Sequence, residues 1–114
     1  LGRVAQYVRD RRIPLEVAPS SNLQTGIAAT IAEHPFEALR ALGFAVTVNT
    51  DNRLMSATSV SRETALLAQA HGYGWGELRA FTEDALRASF LPAPDQAALR
   101  REVIDPAYAA LLSA

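Results

Sequence analysis

Val46-Thr47-Val48-Asn49-Thr50-Asp51-Asn52 is the stretch on which the reading of the whole chain turns. Phe44, Val46 and Val48 alternate with Ala45, Thr47 and Asn49, the two-residue period of a β-strand over 44–49. The strand delivers Asp51 just past its carboxyl end. In parallel α/β folds, chemistry gathers at that end of the strands. A carboxylate there can ligate a metal ion or steer a water nucleophile. It can also do no more than cap the next turn, because Asp and Asn favour turns. Position alone leaves both readings open.

Working back from this strand, Pro35 suits the first turn of a helix and Gly43 its stop, with Phe36, Leu39 and Leu42 sharing a face. His34, just before it, reads as a helix-start residue. The small polar residues over 19–26 predict a loop, and Leu15–Val17 a short strand. Leu1, Val4, Ala5 and Val8 recur at helical spacing, closed by Arg9, Arg11 and Arg12. Pro14 then disfavours helix at Ile13.

Working forward, Ser61 is the expected N-cap of a helix with Glu63 in its first turn, an apolar face of Leu66, Leu67 and Ala70, and a stop at Gly72. His71 closes that helix, where a cation suits the dipole. Residues 73–76 read as a turn. Leu78, Phe81, Ala85 and Ala88 form the inward face of a further helix, which Pro92 and Pro94 break. A last helical segment over 95–112 is expected to kink or break at Asp105-Pro106. Tyr73, Trp75 and Phe81 read as packing between outer helices.

The alternation of helix and strand favours parallel α/β units. Two short strands do not make a stable sheet, so these strands want neighbours beyond the 114 residues of the chain. The first residues already read as the middle of a helix, which predicts a piece of a longer protein. Net charge is −1, which gives no footprint for nucleic acid. No apolar run reaches membrane-spanning length, and the start does not read as a secretory signal. The expectation is therefore a cytoplasmic protein with no membrane or nucleic-acid partner. All 11 basic residues are arginine, which removes lysine Schiff-base chemistry and the phosphate-loop lysine. The chain has no cysteine, so thiolate metal sites and the cysteine-based zinc deaminase signature are absent from it.

Asn49-Thr50-Asp51, together with the upstream Leu15-Glu16-Val17-Ala18-Pro19-Ser20-Ser21-Asn22-Leu23-Gln24-Thr25-Gly26, resembles the C-terminal part of the zinc-dependent adenosine deaminases. Two separated motifs stand in the right order, and the likeness extends from about Arg11 to Leu112. It implies a (β/α)8 barrel. Residues 1–114 would be the C-terminal segment of that single domain, incomplete alone, with about two strands and the surrounding and C-terminal helices. By the resemblance Asp51 is a zinc ligand that also orients the reacting water, so it is both the metal and the catalytic residue.

The next family position is usually a second aspartate that hydrogen-bonds the purine. Here it is Asn52, followed by Arg53 where many members have proline. Asn52 is thus the substrate-binding candidate. Ser20, Ser21 and Asn22 match the loop after the seventh strand and could line the pocket or hold Asp51. The family's other zinc histidines, its proton-shuttle glutamate and its assisting histidine have no counterpart in this chain. One Zn2+ would need ligands from the N-terminal remainder of the barrel.

The implied activity of the parent is hydrolysis of adenosine or deoxyadenosine to inosine or deoxyinosine and ammonia by a zinc-activated water, with the chain inactive alone. Two alternatives stay open. One is another purine-type deaminase, acting on adenine or aminodeoxyfutalosine. The other is a non-catalytic interaction module.

Overall fold

The computed structural model describes residues 1–114. Two strands, β1 (Leu15–Val17) and β2 (Val46–Val48), pair in parallel with Leu15 opposite Val46 and Val17 opposite Val48. The ladder is extended at both ends, from Leu15 N–H to Ala45 O at 2.8 Å and from Asn49 N–H to Val17 O at 2.8 Å. β1 spans the expected Leu15–Val17, while β2 is shorter than the alternation over 44–49 predicts, because its ladder runs only as far as the three residues of β1 that pair with it.

Around them run α1 (Arg3–Asp10), α2 (Pro19–Gln24), α3 (Phe36–Ala41), α4 (Val60–His71) and α5 (Trp75–Ala88). The chain closes with α6 (Ala93–Leu99), a π-helical turn (Arg100–Ile104) and α7 (Asp105–Leu112). The core gathers between the sheet and the helices. Val17 and Val46 supply the strand side, while Phe36, Phe44, Leu67 and Phe81 close over it. Phe36 and Phe81 meet edge to face with centroids 5.3 Å apart, and Tyr73 joins Phe81 at 5.2 Å, geometries that favour the ring quadrupoles. Tyr73 and Phe81 thus pack between helices as their sequence positions predict, whereas Trp75 is half exposed.

Several local expectations are corrected. Residues 19–24 are helical, not loop: Pro19 takes the first helical position, where its fixed φ fits and its missing N–H costs nothing. The N-cap of α4 is Ser59, whose hydroxyl accepts from Arg62 N–H at 3.2 Å, and Ser61 lies inside the helix. Trp75 already belongs to α5, so the turn is confined to Tyr73 and Gly74. Leu42 lies beyond the last residue of α3 and is exposed. Ala70 and Ala85 are exposed as well, and Leu86 is buried in place of Ala85.

No break occurs at Asp105-Pro106. The helix widens one turn earlier, with Asp105 N–H reaching back five residues to Arg100 O. The wider turn lets the helix run on past Pro106, whose ring would clash with a regular preceding turn. It also buries Ile104. Arg100 to Glu83 at 2.7 Å, Arg79 to Asp105 at 2.7 Å and Thr82 with Tyr108 at 2.8 Å then bind this segment to α5.

Gly72 sits at φ +72° as the left-handed stop of α4, which accounts for glycine there.

Candidate functional site at the strand ends

Asn49 closes β2 by turning its side-chain amide back onto the strand, donating to Thr47 Oγ1 at 2.9 Å and Thr47 O at 3.1 Å. Two residues later Asp51 stands exposed at φ +54°, one of three non-glycine residues in the left-handed region. Aspartate tolerates that region better than most residues. Such outliers concentrate at sites the surroundings over-determine.

Here the surroundings are α2. Ser21 Oγ donates to Asp51 Oδ2 at 2.8 Å, and Ser56 Oγ donates to Gln24 Oε1 at 2.9 Å, so both ends of the loop over 50–57 are tied to the helix that follows β1. Asn52 is exposed and its Oδ1 accepts from Met55 N–H at 3.1 Å, which folds the loop and leaves the amide N–H groups free to donate.

The three candidates on α2 diverge. Ser21 holds Asp51. Ser20 contributes its backbone N–H instead, donating to Glu63 Oε2 at 2.9 Å. Asn22 accepts at Oδ1 from His34 Nε2, 2.9 Å away, and does not contact Asp51. Only one of the three therefore touches the carboxylate.

His34 is buried. Its Nδ1 accepts from Phe36 N–H at 3.0 Å, capping α3, so the ring proton sits on Nε2 and goes to Asn22. Burial, and after it the charge of His71, push the His34 pKa down and favour this neutral form. His34 is the helix-start residue its sequence position predicts.

Sequence reasoning missed Glu63. It reads as a first-turn helix acid, yet it is fully buried and its Oε1 accepts from Thr58 Oγ1 at 2.5 Å. No local pattern distinguishes it from a solvated acid of the same position.

A metal ion needs several ligands, three or more from protein in a catalytic zinc site. No three His, Asp or Glu side chains come together in this chain to hold one. Asp51 offers one hard oxygen, Oδ1, beside the oxygen engaged by Ser21. The residues present do not by themselves fit a zinc ion. Hollows occur elsewhere on the surface. One of about 570 Å³ is lined by Val48, Val60, Trp75, Leu78, Phe81 and Tyr108 among others, and includes none of the residues around Asp51.

Two parallel strands flanked by helices, with a carboxylate held just beyond the strand ends, define a mixed α/β unit with a strand-end site. The family described as adenosine deaminase matches residues 2–106, and the chain belongs to that family. An adenosine deaminase of Mycobacterium sp. (strain KMS) is 57% identical over 111 residues, covering 97% of this chain and 31% of that protein. One from Mycobacterium tuberculosis (strain ATCC 25618 / H37Rv) is 55% identical over 112 residues, 98% of this chain and 31% of that protein. The chain thus spans about a third of the length of these relatives.

Among solved structures, an adenine deaminase from Arthrobacter aurescens aligns with a TM-score of 0.84 at 26% identity, over 91% of this chain and 32% of that one. The N6-methyl-AMP deaminase from Arabidopsis thaliana aligns at 0.77 and 30% identity, over 88% and 29% respectively.

Proposed function

We propose that residues 1–114 act as the C-terminal segment of a (β/α)8 barrel that deaminates adenosine or deoxyadenosine to inosine or deoxyinosine, releasing ammonia. The observation that carries this reading is Asp51: a carboxylate in a left-handed backbone at the end of a parallel strand, held by Ser21. In this role Asp51 gives one ligand to a Zn2+ whose other ligands come from the N-terminal remainder of the barrel. The zinc, when bound, would supply Lewis-acid chemistry. Ser21 restrains one carboxylate oxygen and leaves the other for the metal. Asn52 presents its free amide N–H to a purine ring nitrogen.

The surface of the chain supports a role as a segment that docks on more protein. It exposes 7230 Å². A compact monomer of 12.3 kDa exposes about 6,100 Å². The excess, about 1,100 Å², is the size of one partner's share of a protein interface or more. Val4, Leu54, Met55 and Phe90 are among the exposed apolar residues. This weighs against a free-standing interaction module. The reading includes a cytoplasmic location; no helix of the chain is long and apolar enough to cross a membrane.

Asn52 favours a second reading of the substrate. Asparagine lacks the charge of the aspartate that the resemblance leads one to expect, which makes a different purine, such as free adenine or the purine of aminodeoxyfutalosine, the alternative substrate. The test is a panel of these purines with the full-length protein, alongside metal analysis and the variant Asp51→Ala. The proposal expects about one zinc per protein and loss of both zinc and activity in the variant. Undiminished deamination by Asp51→Ala refutes it. Conversion of adenine faster than adenosine selects the second reading.

A further inference from the structure

Glu63 is the largest unexplained polar group in the interior. It is 0% exposed and no ion pair of the structure includes it. An uncompensated interior carboxylate is costly, so its surroundings must repay it with hydrogen bonds. They do so from two directions. Oε2 accepts the backbone N–H of Ser20, in the first turn of α2, and Oε1 accepts the hydroxyl of Thr58, just beyond the loop that carries Asp51. Ser20 is the direct neighbour of Ser21, and Ser21 is the residue bonded to Asp51. One carboxylate therefore joins the two segments whose spacing sets the Ser21–Asp51 contact.

We propose that Glu63 is a positioning residue for Asp51: it clamps α2 to the far end of the Asp51 loop and so fixes the carboxylate's orientation. This rests on the reading of Asp51 as the metal-binding carboxylate. The clamp is built from hydrogen bonds that glutamine can reproduce, its amide oxygen taking Ser20 N–H and its amide nitrogen donating to Thr58 Oγ1. Alanine can make neither.

The test uses the full-length protein with Glu63→Ala, Glu63→Gln, Thr58→Val and the control Asp51→Ala. Zinc affinity, kcat, KM and the thermal midpoint are measured for each. Glu63→Ala is expected to weaken zinc binding about 10- to 100-fold, as loss of a group supporting a ligand does, and to lower kcat by about 100-fold through misplacement of the site. KM should stay within about threefold, because Glu63 touches no substrate, and a lost contact would instead raise KM. Glu63→Gln should recover both zinc affinity and kcat to within about tenfold of the parent.

A purely structural role predicts a lowered midpoint with zinc affinity and kcat unchanged in the folded protein, and that result overturns the proposal. If Glu63→Ala does not fold, Thr58→Val removes half the clamp and should lower zinc affinity and kcat by about tenfold; unchanged values overturn the proposal equally. Asp51→Ala separates the two levels. If it loses zinc while the Glu63 and Thr58 variants keep it, only the clamp is refuted. If it retains zinc and activity, the reading of Asp51 falls and the clamp with it.

Discussion

Ser21 and Asp51 are 30 residues apart in the chain and share a 2.8 Å hydrogen bond from Oγ to Oδ2, which joins the helix after β1 to the loop after β2. Both residues lie at the carboxyl ends of paired strands, so the contact spans the sheet at the end where α/β folds carry chemistry. Ser21→Ala removes only this contact. With Asp51 acting as a zinc ligand, the full-length variant should bind zinc about 10-fold more weakly. Its stability should stay within about 0.5 kcal/mol of the parent, since no core packing is touched. Metal titration and a denaturation curve on one preparation check both numbers; unchanged zinc affinity contradicts the assigned role.

Phe36 is 0% exposed and packs against Tyr73 in a tilted arrangement and against Phe81 in a T-shaped one. Phe36→Ala should cost about 3–5 kcal/mol and Leu67→Ala about 2–5 kcal/mol, combining lost burial with the cavity left behind. Urea unfolding of the full-length variants measures this. A loss below about 1 kcal/mol at Phe36 would mean the site collapses around the missing ring.

His34 gives the fold an acid-sensitive joint. Its pKa is pushed below the ordinary 6.5, first by burial and then by His71, so the folded protein holds fewer protons there than the unfolded chain. The contribution is fully present above pH 6.5 and is lost as pH falls below 6.5 through the lowered value. Protonation also ends acceptance of Phe36 N–H by Nδ1. Asn at position 34 keeps an acceptor for that N–H and cannot titrate. His34→Asn should therefore flatten the slope of stability against pH below 6.5. A slope equal to the parent's would assign the acid sensitivity to other groups.

Glu37 and Tyr73 form a second pH-linked pair. The bidentate hydrogen bonds of Arg40, and then the Tyr73 hydroxyl, hold the Glu37 carboxyl down to about 2 from 4.5. That contribution is present above pH 4.5 and is lost as pH falls toward about 2. Burial, followed by the hydrogen bond to Glu37, pushes Tyr73 up to about 12 from 10, so its contribution is present below pH 10 and is lost as pH rises through about 12. Tyr73→Phe keeps the ring packing and should cost about 1 kcal/mol at neutral pH. It should abolish the alkaline loss while leaving most of the acid loss, because Arg40 remains. Chemical denaturation across pH 2 to 12 reads out both limbs.

Much of this architecture was legible from local pattern. Alternation marks β2, the run from Leu15 to Val17 marks β1, and the arrival of Asp51 beyond a strand is a matter of counting residues. Pro35, Gly43 and Gly72 bound α3 and α4 through backbone chemistry that acts over a turn or less. His34 as a helix-start residue follows from the same local logic.

The tertiary structure decided what depends on distant partners. Helix α2 forms from a segment of weak helix formers because its first turn gains Glu63 from 43 residues away and its last residues are tied to the Asp51 loop. Asn22 turns to His34, and Ser21 alone reaches Asp51, a choice set by which side of α2 faces each neighbour. Glu63 is buried because two strand-end segments bring it a hydroxyl and a backbone N–H together. Leu86 replaces Ala85 inside, and a π-turn precedes Pro106, because α5 must pack on β2 and on the last helix at once. Periodicity and capping act within a few residues and can be read from the sequence. Burial of a charge and the pairing of polar side chains are set by what the fold brings alongside.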